Sequence, residues 1–174
     1  NPLGANRHEG YGGWTAELFA TFYRDTARQG PVAERGSPFL YKDAEGKPKL
    51  DFARYCQEFN GGAGPDFVVI LLGCNDTFSA TDETIEARAD AILTHYDTLI
   101  AMIHAVRSDT RIGLMLTVPP TATQDAFGMN YLCGQTRWQY KRNQHRFVER
   151  LLAKYAGREN ENIQIVPTEV NLDC

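Results

Sequence analysis

The sequence predicts an α/β fold built on a parallel sheet with helices on both faces. Two observations predict it. Apolar runs of strand length, at residues 66–72, 111–118 and 163–166, are separated by two long stretches of helical periodicity. The links between them are short, so strand, helix, strand, helix, strand reads as two successive right-handed crossovers. At 174 residues the chain suits one domain with its own hydrophobic core. No internal repeat, low-complexity tract or long linker divides it.

Taken in order, Trp14, Leu18, Phe19, Phe22 and Tyr23 recur at helical spacing, with Glu17 in the first turn and Arg24 and Arg28 in the last. Gly30-Pro31 is expected to stop this helix. Residues 32–50 carry Gly36, Pro38, Gly46 and Pro48 without a period and read as a surface loop. Asp51 caps a short helix through Phe59, and residues 61–65, Gly-Gly-Ala-Gly-Pro, break the chain again.

The run 66–72 that follows, Asp-Phe-Val-Val-Ile-Leu-Leu, is apolar from Phe67 onward. Such a strand suits the middle of a parallel sheet, covered on both faces. Thr81 is expected to cap the next helix, with Asp82 and Glu83 in its first turn; Ile85, Ala89, Ile92, Tyr96, Leu99, Ile103 and Val106 form its apolar stripe. Residues 111–118 read as a second buried strand, ended by Pro119-Pro120. Tyr140, Phe147, Val148, Leu151 and Tyr155 mark the second long helix, with Gly157 at its C-terminal cap, and 163–166 is the last strand.

Composition sets limits on function. The net charge is -4, and no Lys/Arg stripe alternates with aromatics, so nucleic acid is not an expected partner. No apolar run approaches the ~20 residues of a membrane span. The cysteines, Cys56, Cys74, Cys133 and Cys174, form no CxxC pair and lack zinc-finger histidines. A Cys133–Cys174 disulfide and four unpaired thiols are equally open. The sequence carries no signal peptide and opens without Met; a secreted or periplasmic location is favoured over the cytoplasm.

In a parallel sheet, ligands sit beyond the carboxyl ends of the strands. There the chain reads Gly73-Cys74-Asn75-Asp76. A neutral amide N–H aimed at a developing oxyanion contributes about 3–4 kcal/mol in acyl transfer. Alternatively, Asn75-Asp76 caps a turn. The second constellation, Glu9-Gly-Tyr-Gly-Gly13-Trp-Thr15, leads into the first helix, where Gly13 can present its backbone N–H at close range. His8 beside it either touches a ligand or holds the glycine-rich turn. After the second strand, Phe127, Tyr131 and Trp138 either wall a pocket or pack their loop onto the domain.

The two blocks, about sixty residues apart and in this order, resemble the second and third sequence blocks of the SGNH, or GDSL-like, hydrolases. Ser37-Pro38-Phe39 and Leu50-Asp51-Phe52 are similar to a bacterial branch of that family. The resemblance implies a flavodoxin-like three-layer α/β/α sandwich, and serine-dependent ester hydrolysis without metal or cofactor. It places the Gly13 N–H and the Asn75 side chain in the oxyanion hole; Cys74, beside Asn75, and Tyr131, in the loop after the second strand, are the candidate substrate contacts. A small-molecule or carbohydrate ester is the substrate it implies.

The family's Gly-Asp-Ser strand and its Asp-x-x-His loop are not among the 174 residues. Ser37, Ser79 and Ser108 read as turn or cap residues, and His95, His104 and His145 as surface or boundary residues. The chain is therefore expected to lack the first strand and the C-terminal catalytic loop of a single SGNH-like domain, with flanking segments or a second chain completing it. A catalytically inactive module binding carbohydrate or acyl ligands is the alternative reading. A nucleotide binder of the same architecture would need a glycine-rich phosphate loop after a strand, which the sequence lacks.

Overall fold

The structure is a computed structural model; it describes residues 7–25, 31, 34–130 and 135–171. Its centre is a parallel sheet of three strands in the order β3-β4-β5, where β3 is Phe67–Ile70, β4 is Arg111–Met115 and β5 is Ile163–Val166. Val68 lies opposite Ile112, and Ile112 opposite Ile163, so these three side chains share a face, as do Ile70, Leu114 and Ile165. That face is the core. Helix α3 (Ile85–Val106) links β3 to β4, and α5 (Arg137–Tyr155) links β4 to β5. Ile92, Leu93, Tyr96 and Ile103 of α3 pack on the sheet together with Phe147, Leu151 and Tyr155 of α5.

Both crossovers step in the same direction along the sheet, so both helices fall on the same face. They run parallel, and a rail of ion pairs closes their outer seam. Arg142 meets Asp82 at 3.3 Å, Arg146 meets Glu86 at 2.5 Å, Arg150 meets Asp90 at 2.6 Å, and Lys154 meets Asp97. The opposite face of the sheet is bare among the described residues. Phe67 is 65% exposed and Val69 61%, and β3 pairs only with β4. The run 66–72 is therefore an edge strand here, not the central strand its composition predicts. An uninterrupted apolar run reports that both faces favour burial, but not which element would cover the second.

Three local expectations change. The first helix, α1, spans only Ala16–Thr21. Its end is taken over by Ser37, whose N–H donates to the Phe22 carbonyl at 2.7 Å and whose hydroxyl donates to the Phe19 carbonyl at 2.6 Å. Residues 32–50 are not a surface loop throughout. Ser37, Pro38, Leu40 and Tyr41 are buried, and β1 (Leu40–Lys42) pairs antiparallel with β2 (Pro48–Leu50). The Asp43 carboxylate closes this hairpin by accepting from the Glu45 and Lys47 N–H groups. Thr81 opens a turn before α3 rather than capping it. Its hydroxyl is engaged by Glu83, and the helix begins at Ile85.

Other elements follow the sequence closely. Asp51 caps α2 (Phe52–Phe59) by accepting from the Arg54 N–H at 2.9 Å. Thr136 caps α5 in the same way through the Gln139 N–H, and Gly157 takes positive φ just past its end. The connection after β4, which the sequence reads as a loop, contains a short helix, α4 (Gln124–Asn130). No helix of the described residues is long and apolar enough to cross a membrane. Cys56 and Cys74 are free thiols; Cys133 and Cys174 lie outside the described residues.

Candidate functional site

The chain leaves β3 into a tight turn at Gly73, which has φ +102°. Its α-carbon lies against Phe147 of α5: a Cβ there would sit 2.4 Å from the ring. Glycine is thus required twice over, by conformation and by space. Thr77 closes the turn, its N–H and its hydroxyl both donating to the Gly73 carbonyl, at 3.0 and 2.9 Å. The turn thereby fixes the directions of Cys74, Asn75 and Asp76.

Asn75 is exposed, and its Nδ2 donates to the Trp14 carbonyl at 2.9 Å. Asp76 is buried and points the other way. Its Oδ1 accepts from the Ala16 N–H at 2.8 Å and its Oδ2 from the Gly73 N–H at 3.1 Å. These two side chains seat the turn before α1 on the turn after β3. Gly13, with φ +80°, immediately precedes Trp14 and is exposed. The bond that closes its own turn runs from the Trp14 N–H to the Tyr11 carbonyl. Among the described residues no acceptor is paired with the Gly13 N–H. The structure therefore joins the turn of Asn75 to the residue after Gly13, with one amide hydrogen of Asn75 bound to the Trp14 carbonyl.

The glycine-rich segment is anchored at both ends. Trp14 is buried among Tyr11, Phe19 and Phe22. Upstream, the Glu9 carboxylate accepts from Tyr55 at 2.6 Å, from Arg7 at 2.9 Å and from Tyr11 at 3.2 Å. Burial, followed by the Glu9 hydrogen bond, pushes the Tyr55 phenol well above its usual range. The His8 ring lies over the α-carbon of Gly10, within the same segment.

On the other side, Tyr140 of α5 donates to the Cys74 carbonyl at 3.1 Å, and Gln144 donates to Tyr140 at 2.8 Å. Asn143, fully buried, donates to the carbonyls of Thr77 and Ala80 at 3.0 and 2.7 Å. Cys74 is half-buried, and burial raises its thiol pKa, which keeps the sulfur protonated and poorly nucleophilic. Phe127 is buried against Phe78 and Tyr140, whereas Trp138 is 59% exposed beneath Arg137 and Lys141. Tyr131 lies outside the described residues.

None of the three serines reaches Asn75 through a hydrogen bond. Ser37 serves the end of α1, and Ser79 and Ser108 are exposed. His104 bonds the Thr110 carbonyl and His145 lies on the solvent side of α5 near Glu149. Among the described residues no three His, Cys, Asp or Glu side chains converge where they could hold a metal. The sequence reading missed Asp76, Tyr140 and Asn143 as determinants of the site. Asp76 sat inside the block already singled out, but that its carboxylate points inward shows only in three dimensions.

Comparison with protein-family models, with curated proteins and with solved structures gives no match for this chain.

Proposed function

We propose that the chain carries the oxyanion-binding half of a serine-dependent carboxylic ester hydrolase of the SGNH type. The observation that carries this reading is the bond from Asn75 Nδ2 to the carbonyl of Trp14, the residue after Gly13, whose N–H has no acceptor among the described residues. Neutral donors from two adjoining turns beyond the carboxyl end of a parallel strand would suit an oxygen that gains charge during reaction. In the proposed reaction a serine hydroxyl attacks the ester carbonyl while a histidine takes its proton. The alcohol leaves with that proton, and water then releases the acid from the acyl-enzyme.

The serine and histidine of this reading come from flanking segments or from a second chain. The open edge of β3 and its bare Phe67 and Val69 support that part, because a parallel strand ordinarily has neighbours and cover on both sides. The completed domain would be a three-layer α/β/α sandwich, and the substrate a small-molecule or carbohydrate ester. An inactive carbohydrate- or acyl-binding module is favoured by one observation, that no described serine hydrogen-bonds either donor.

Hydrolysis of a short-chain aryl acetate by the native protein, with Asn75→Ala alongside, tests the choice. A fall in kcat of about 100-fold or more in the variant is expected. Absence of turnover by the native protein would leave only the binding module.

A further inference from the structure

We propose that Asp76 is the positioning residue of this site, the buried side chain whose two carboxylate oxygens tie its two donor-bearing turns into a unit. The inference rests on the hydrolase reading for its catalytic consequence, but the tie stands on geometry alone. One carboxylate oxygen accepts the first N–H of α1, from Ala16, and the other accepts the N–H of Gly73. Gly13 lies three residues before the first donor, and Asn75 two residues after the second. Asn75 itself adds the link to Trp14, so it must hold its place while presenting its other hydrogen to a ligand.

Only a carboxylate suits this position. Both of its oxygens accept, whereas an asparagine offers one acceptor and would turn an N–H toward a second N–H. The remaining titratable groups that bear on it are His95 and Tyr96 of α3 and Cys74 of its own turn. His95 favours the ionised form, and burial opposes it.

Two measurements on the native protein test the tie. In an NMR titration of the unmodified protein, the Ala16 and Gly73 amide protons are expected to move together with the Asp76 carboxyl carbon, at one apparent pKa. Separate titration of the two amides, or none, would overturn the proposal without any variant. In Asp76→Asn, kcat on the aryl acetate is expected to fall roughly 10- to 100-fold with KM changed less than about twofold, because the donors lose alignment more than the substrate loses contacts. An unchanged kcat in a folded variant would also overturn it. If the native protein shows no turnover, the hydrolase reading fails, and the titration still decides whether Asp76 makes the tie.

Discussion

The phenol of Tyr96 accepts from the Leu72 N–H at 3.2 Å and donates to the Leu72 carbonyl at 3.1 Å. One side chain from α3 thus serves both backbone groups of a residue that has just left the sheet. The phenol is fully buried, and desolvation holds its pKa far above the usual range, so it stays neutral and can both donate and accept.

Tyr96→Phe keeps the ring and removes this double bond. Each buried backbone group left without a partner costs about 1–3 kcal/mol. Denaturant unfolding should therefore show a loss of at least about 1 kcal/mol. The same change in an aryl acetate assay should lower kcat as the turn after β3 loosens.

Two glycines in positive φ separate conformation from space. At Gly13 a Cβ would meet nothing within 4 Å, so Gly13→Ala meets backbone strain alone, on the order of 1–3 kcal/mol. It should fold and lose hydrolysis. At Gly73 the Cβ would also collide with Phe147, and Gly73→Ala should unfold at markedly lower denaturant than Gly13→Ala. Equal unfolding midpoints for the two variants would contradict the packing described.

The pH dependence of Asp76 runs in opposite senses for stability and for function. Burial raises its carboxyl pKa above 3.8, despite the N–H groups of Ala16, Gly73 and Asp76 itself that favour the ionised form. The folded chain then holds the proton more tightly than the unfolded chain. The contribution of Asp76 to stability is fully present below about pH 3.8 and is lost as pH rises through the raised value. Unfolding free energy of the wild type, relative to Asp76→Asn, should fall across that window. Hydrolysis should rise across it, since only the carboxylate accepts both N–H groups.

The rail between α3 and α5 is exposed, and salt should screen it. Arg146→Ala and Arg150→Ala are each expected to lower the unfolding midpoint slightly in dilute buffer, and the difference should vanish near 1 M salt. A difference that persists would mean the stems of these side chains, rather than their charges, carry the effect.

Much of this architecture is legible in the sequence where a local cause acts alone. The α2 cap at Asp51, the limits of β5 and the Gly157 stop each need only a few neighbouring residues to specify them. The misreadings arise where a distant residue intervenes. Ser37 ends α1 from eighteen residues away from Phe19, its hydrogen-bond partner. The hairpin of residues 40–50 is too short to show a period, and Asp43 rather than hydrophobic alternation holds its turn. At the site, Gly13 and Asn75 were readable as donors because their residue types carry that chemistry. Asp76 was not, because an aspartate after an asparagine reads equally well as a solvated turn.

Helices α1 and α2 widen the helical layer to one side of the sheet. Three strands spaced about 4.8 Å apart give a sheet roughly 10 Å across between its outer strand axes. Helices α2, α3 and α5, joined by Ala16 of α1, share the core cluster on its covered face, each helix about 10 Å in diameter. The helical layer is wider than the sheet beneath it. Both α1 and α2 pack chiefly on α3, the helix that follows β3, so the overhang falls on the β3 side. The overhang lies alongside the strand that leads into Asn75, where a further strand would pair about 4.8 Å from β3 and lie under these helices.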